Sequence, residues 1–215
     1  MTRAVHVFLA MTFAAVASAQ TVIDRVVARV GDDSIFSTDV RAAVGLGVVE
    51  LSDSPDPDEA ALEGLIERRL MLKEIFRGTT PEPDAEAVED EVRRMKSYAA
   101  ATLKTVMTAN GVDDALLHRF ARDTLRIQLY LDTRFPRVDV NDDEARQYYR
   151  AHPDAFRRNG EMMTFEQATA AAHELASRQR RDARIDQWIE GLRRRTQITR
   201  PVSAPAGSTG RGREE

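Results

Sequence analysis

The chain has 215 residues, with no cysteine, 31 Lys or Arg and 35 Asp or Glu. The lack of cysteine excludes disulfide bridges and a cysteine nucleophile, so apolar packing must stabilise the fold. The formal net charge of −4 is small for this length and does not suggest a nucleic-acid partner.

The amino-terminal residues 1–19 have the pattern of a secretory signal peptide. Arg3 gives a positive start, residues 5–16 form an apolar run, and residues 17–19, Ala-Ser-Ala, match a cleavage site. We therefore expect cleavage before Gln20, export of the mature chain, and no membrane span after cleavage. A retained membrane anchor is the alternative, but the apolar run is shorter than the ~20 residues that a spanning helix needs.

The segment after the signal predicts a β-hairpin that leads directly into a helix. Residues 22–30 are rich in Val and Ile, which favours a strand, and residues 31–33, Gly-Asp-Asp, favour a turn. Ile35 and Phe36 continue as the return strand. Ser37 has the chemistry of an N-cap for a helix over 38–50.

The rest of the domain is predicted to be mainly helical. Apolar periodicity and capping residues predict five more helices, at 59–76, 85–108, 113–135, 141–151 and 164–195. Capping-box spacing opens the last two, and residues 152–160 between them are expected to form a loop. Residues 177–184 are too polar for a buried helix middle, and Ile198 lies in a possible short strand. The predicted domain spans 20–200, and 201–215 are expected to be a disordered tail.

Charge is distributed unevenly along the chain. Residues 50–94 carry fourteen acidic and six basic side chains, whereas residues 178–200 carry eight basic and three acidic ones. Two interpretations remain open. The segments are either solvated faces that pack on each other, or a surface that steers a charged partner.

The sequence contains no recognisable catalytic or metal-binding motif. The mature chain has three histidines, His118, His152 and His173, which are far apart and lack the spacing of metal ligands. The paired carboxylates at 32–33 and 142–143 are explained by turn and helix-start chemistry. There is no Gly-rich phosphate loop, H-E-x-x-H or G-x-S-x-G motif. We therefore predict no catalytic residue, no cofactor and no metal.

Several segments resemble the N-terminal domain of SurA-type periplasmic chaperones, a family linked to parvulin isomerases. The opening VIDRVVARVGDDSIFSTDVRAAV is similar to their hairpin and capped helix, and LEGLIERRLMLKEIFRG is similar to their second helix. NGVDDALLHRFARDTLRIQLYLDTRF is similar to a later helix of the module. VNDDEARQYYRAHPDAF is similar to the segment that introduces the isomerase domain, and the stretch from Met163 to Ile198 to the helix that returns to the module.

The resemblance implies a multi-helix chaperone module whose long C-terminal helix packs back on the N-terminal helices. It also implies that the short strand at Ile198 pairs with the opening hairpin. It departs from the family because only residues 156–163 stand where a parvulin domain usually lies. We therefore expect a periplasmic, ATP-independent chaperone for unfolded exported or outer-membrane polypeptides, not an enzyme. A divergent peptidyl-prolyl isomerase and an accessory module of an envelope complex are the alternatives.

A peptide-binding groove is a further expectation that rests on this resemblance. Met adapts its shape to varied apolar segments, although for each Met or aromatic residue taken singly a place in the core is the simpler interpretation. The candidate groove residues are Leu72, Phe76, Met95, Tyr98, Met107 and Tyr130.

Overall fold

The structure, a computed structural model, describes residues 24–51, 54–109 and 112–201. The strands are β1 Val26–Val30, β2 Asp33–Phe36, β3 Arg157–Arg158, β4 Glu161–Met162 and β5 Ile198–Thr199. The helices are α1 Ser37–Gly45, α2 Pro57–Ile75, α3 Ala85–Tyr98, α4 Leu103–Ala109, α5 Asp114–Arg134, α6 Asp142–Ala151 and α7 Phe165–Arg195. The predicted fold class is confirmed: the described chain is mainly helical, with an N-terminal hairpin and a long final helix that packs on the others.

The predicted signal peptide and tail lie outside the described residues, except that Pro201 is described. The domain limits of 20 and 200 therefore stay predictions.

The predicted hairpin and the short strand near the carboxyl end form one antiparallel sheet in the order β2-β1-β5. Val30 pairs with Asp33 on one side and with Ile198 on the other. The Gly31 amide also donates to the Gln197 carbonyl oxygen at 2.8 Å. The first and last strands of the described chain therefore close the domain together.

The first helix starts differently from the prediction, because Ser37 lies inside it and Phe36 occupies the N-cap position. The carboxylate of Asp24, which comes from before β1, accepts bonds from the Ser37 hydroxyl at 2.9 Å and the Thr38 amide at 3.2 Å. A carboxylate from upstream thus takes the capping role that the sequence assigned to Ser37. The helix also ends at Gly45 rather than residue 50, because Gly47 turns the chain with a φ of +62°.

The predicted helix over 85–108 is two helices, α3 and α4, separated by a turn. The Thr102 hydroxyl donates to the Ala99 carbonyl oxygen at 3.3 Å within this turn. The turn directs α4 onto α1, where a Cβ added at Gly45 would lie 2.6 Å from Val106 Cγ2. A straight helix would lose this close packing.

Both predicted capping boxes are present at the starts of α6 and α7. The predicted loop between them is instead a 3₁₀ turn, Pro153–Phe156, followed by the hairpin β3–β4. Asn159 and Gly160 form its turn with φ values of 53° and 86°. The buried Phe156 ring packs against Tyr149 at a centroid distance of 5.0 Å, which anchors the hairpin to α6.

Three apolar clusters form the interior, and α7 contributes to each. The main core lies between the sheet and helices α1 to α5, and Leu192 of α7 is buried in it. The second cluster joins the ends of α2 and α5 to α7, and contains Met71, Leu72, Ile75, Ile127 and Ile189. The third cluster joins α6 and the start of α7, and contains Ala145, Phe156, Ala168 and Ala172. The polar middle of α7 lies between them, largely exposed, as predicted.

The acidic and basic segments pair with each other in the folded chain. Arg193 bonds Glu63 and Glu67 of α2, both at 2.9 Å, and Arg200 also pairs with Glu63. Arg195 lies 3.0 Å from Glu74. These contacts favour the interpretation that the two charged segments pack on each other.

Candidate peptide-binding site

The six predicted groove residues fall into two groups in the structure. Leu72 and Tyr130 belong to the second cluster, and Phe76 lies at the C-cap of α2. Met95 and Met107 pack with the main core, and Tyr98 ends α3. No single apolar cluster contains all six, and their role in peptide binding stays a prediction.

In the first group, only Phe76 presents most of its side chain to solvent. Leu72 is 5% exposed, whereas Phe76 is 61% exposed. The Arg126 guanidinium lies over the Phe76 ring, 5.1 Å from its centroid. Tyr130 stacks on Trp188 of α7 at 5.5 Å and so helps to fix the final helix. This group therefore combines one accessible ring with residues that hold α7.

The second group likewise has one accessible ring, that of Tyr98. Met95 is fully buried and Met107 is half-buried against the main core. Tyr98 is 64% exposed. Its ring covers the backbone of Gly47, since a Cβ there would lie 2.8 Å from Tyr98 Cε1. Met95 thus acts in this structure as a core residue, which was the alternative that the sequence left open.

A separate cleft lies beside the start of β1. It has a volume of ≈ 570 Å³, within the ~300–1,000 Å³ range of ligand pockets. Its apolar lining comes from β1, α1 and α2, through Val26, Val27, Val40 and Leu62. Sequence reasoning assigned these residues to elements but not to a site, because their juxtaposition depends on how the sheet packs on α1 and α2.

The charged lining of this cleft is balanced. It consists of Arg25, Arg41, Arg200, Asp56, Asp58 and Glu59. Three positive and three negative side chains give no net charge, so the lining does not favour an anion or a cation. The cleft therefore suits a ligand with little net charge and with apolar side chains.

A group of half-buried charges between α2 and α5 was also not predicted from the sequence. Burial lowers the pKa of Arg68 to about 10, and burial also raises the pKa of Asp123 despite the surrounding arginines. Arg68 donates to Thr124 at 2.9 Å, and Asp123 lies 3.5 Å from Arg126. The Arg68–Thr124 bond joins α2 to α5, whereas the Asp123–Arg126 pair lies within α5.

The histidines occupy separate places in the described chain and do not converge on one site. His118 bonds the Asp114 carbonyl oxygen at 2.6 Å and Glu89 at 2.9 Å. His152 bonds the Tyr148 carbonyl oxygen, and His173 bonds Val140 and Asp142. Across the described ranges, no group of three His, Asp or Glu side chains is placed to hold a metal ion.

None of the described helices combines the length and apolar character needed to cross a membrane. No protein-family model matches the sequence, and none of the curated proteins compared with it matches significantly. The resemblance to SurA-type chaperones therefore rests on the residue patterns themselves.

Proposed function

We propose that this chain is an ATP-independent periplasmic chaperone that binds unfolded or nascent exported polypeptides, including outer-membrane proteins. The observation that carries the proposal is the closure of the module. The long α7 and the strand after it return to the hairpin and helices at the start of the chain. This is the arrangement that the resemblance to SurA-type chaperones implies, in a chain whose first residues have the pattern of a signal peptide.

Accessible aromatic rings at two helix ends give the proposal a physical basis. Phe76 and Tyr98 expose 61% and 64% of their surface, and Leu129 exposes 44%. Single apolar side chains of this kind bind weakly, but several together tolerate varied sequences. A chaperone needs this kind of contact, because its clients share apolar character and not a sequence.

The test is suppression of aggregation. A urea-denatured outer-membrane β-barrel protein is diluted into buffer without ATP, and light scattering is followed with increasing amounts of the mature chain. We expect scattering to fall as the chain approaches equimolar amounts. Unchanged scattering at a stoichiometric excess contradicts the proposal.

Two surface variants test which exposed side chains bind the denatured protein. We expect Phe76→Ser combined with Tyr98→Ser to weaken the suppression, because both exposed rings are lost. Met162→Ser is the matched control, since Met162 is 40% exposed but lies on the distant hairpin β3–β4. Equal loss with both variants would show that the two rings have no special part in binding.

The two alternatives make different predictions. A divergent peptidyl-prolyl isomerase accelerates cis–trans exchange in a proline peptide, and any rate above the uncatalysed one contradicts a purely binding role. An accessory module captures one stoichiometric partner from envelope extract, whereas a chaperone captures many unfolded clients. The basic and acidic segments, which were the candidate partner faces, form ion pairs such as Arg193–Glu67 with each other.

A further inference from the structure

We infer that the cleft beside β1 binds an extended segment of a non-native polypeptide as an added β-strand. The inference rests on the proposed chaperone function and specifies how one part of a client is held. Strand addition uses the main-chain groups of the client, so it tolerates different side chains. The cleft lining is made by Val26, Val27, Val40 and Leu62 together with the balanced charges described above.

The first step is that β5 pairs with only two of the five residues of β1 in the described chain. β1 starts at Val26, and β2 pairs with it from that residue onward. On the other side, β5 pairs only with Arg29 and Val30. The start of β1 therefore has β2 on one side and no described strand on the other, and Val26 and Val27 line the cleft.

The second step is that the chain after β5 is poorly suited to extend the pairing. Arg29 pairs with Thr199, so the same register places Pro201 opposite Val27. Proline has no amide hydrogen to donate to a neighbouring strand. Arg200 is also held on α2 by Glu59 and Glu63, which draws the chain toward that helix. A separate strand carries the amide hydrogens that Pro201 lacks.

The third step concerns the chemistry of the occupant. An antiparallel or parallel strand advances ~3.3 Å per residue, so residues 25–27 offer about 10 Å of edge. Alternate side chains of an added strand would face Val40 and Leu62, which favours apolar residues at those positions. The balanced charge of the lining favours an uncharged segment. These features describe a strand of a β-rich client better than a charged small molecule.

Cross-linking from the cleft tests the inference without disturbing the core. Because the chain has no cysteine, Asp58→Cys gives a single attachment point for a benzophenone group in the cleft. Asp143→Cys is a matched control, since both residues are exposed and occupy the second position of a helix, α2 and α6 respectively. The probe is an uncharged octapeptide of alternating Val and Thr.

We expect the peptide to be cross-linked at least fivefold more from position 58 than from position 143. Equal yields, or none from either position, overturn the inference. Cross-links from position 58 to residues 202–215 of the same chain, or to a second copy, also overturn it. In those cases another segment occupies the cleft.

Backbone methylation tests the pairing itself. We expect N-methylation of the four central residues to weaken binding about tenfold, equivalent to ~1.4 kcal/mol, as measured by fluorescence anisotropy of the labelled peptide. Unchanged affinity would mean that side chains alone hold the peptide. If either result fails while aggregation is still suppressed, this inference is wrong and the proposed function stands. Loss of aggregation suppression instead contradicts the proposed function.

Discussion

Truncation of Leu192 tests whether α7 is an integral part of the domain. Leu192 is 2% exposed and lies in the main core, far along the chain from most of its neighbours. Leu192→Ala removes apolar groups worth ~0.8 kcal/mol per CH₂, or about 2.4 kcal/mol for three carbons. A residual cavity raises the expected loss of unfolding free energy to about 3 kcal/mol, within the usual ~2–5 kcal/mol.

The assay is urea unfolding followed by two signals. Trp188, the single tryptophan, lies one helical turn before Leu192 and reports on α7, while circular dichroism reports on all helices. With a slope of about 2–3 kcal/mol/M, the midpoint should fall by roughly 1–1.5 M, and both signals should change together. The matched control is Leu129→Ala on α5, which is 44% exposed and should lose about 1 kcal/mol or less.

Two results would refute the reasoning. One is a midpoint for Leu192→Ala no lower than that of Leu129→Ala. The other is a Trp188 transition, in the unmodified chain, at clearly lower urea than the circular dichroism transition. The second result would mean that α7 detaches on its own and does not close the domain.

Three further predictions use other contacts. We expect Gly45→Ala to lower the unfolding free energy by about 1–3 kcal/mol, because its Cβ would press on α4. Gly191→Ala, in an open position of α7, should raise the unfolding free energy by roughly 0.5–1 kcal/mol. Calorimetric unfolding of both glycine variants measures the two changes. Arg193→Met should lower the unfolding free energy by about 1 kcal/mol, because it removes the ion pairs with Glu63 and Glu67. These pairs are partly solvated, so the loss should be smaller when urea unfolding is repeated at high salt, and a salt-independent loss would contradict this. The hydrogen bond to the Asp114 carbonyl oxygen, and to a lesser extent the bond to Glu89, raise the pKa of His118. The stability that this protonated His118 contributes is therefore fully present below pH ~6.5 and is lost as pH rises through the folded-state pKa. Proton NMR titration should show that pKa falling on Glu89→Gln, and an unchanged value would contradict the assignment.

Local chemistry in the sequence was enough to place most elements. The capping boxes that open α6 and α7 depend on residues three apart, so the helix starts could be predicted without knowing the fold. The helix over 59–76 could likewise be predicted locally, from apolar residues spaced three and four positions apart. The short strand around Ile198 was also predictable as a strand, although its pairing with β1 came only from the family resemblance.

Features that depend on contacts between distant residues could not be predicted in this way. Asp24 takes the capping role at α1 because the hairpin brings its carboxylate to Ser37 and Thr38. The turn between α3 and α4 brings Val106 against Gly45, a contact that no local pattern encodes. Similarly, the groove residues could not be sorted into core and surface, because burial of Met95 and exposure of Phe76 depend on the neighbouring helices.

The central position of β1 also affects the order in which the molecule can be assembled. A ribosome delivers the amino end first, so β1 and β2 emerge long before the residues of β5 exist. A two-stranded ribbon alone is marginally stable in water. Until β5 is added, the hairpin therefore depends on its packing against α1 and α2. A chain interrupted before Ile198 would lack the third strand, and β2 and the helices alone would hold β1 in place.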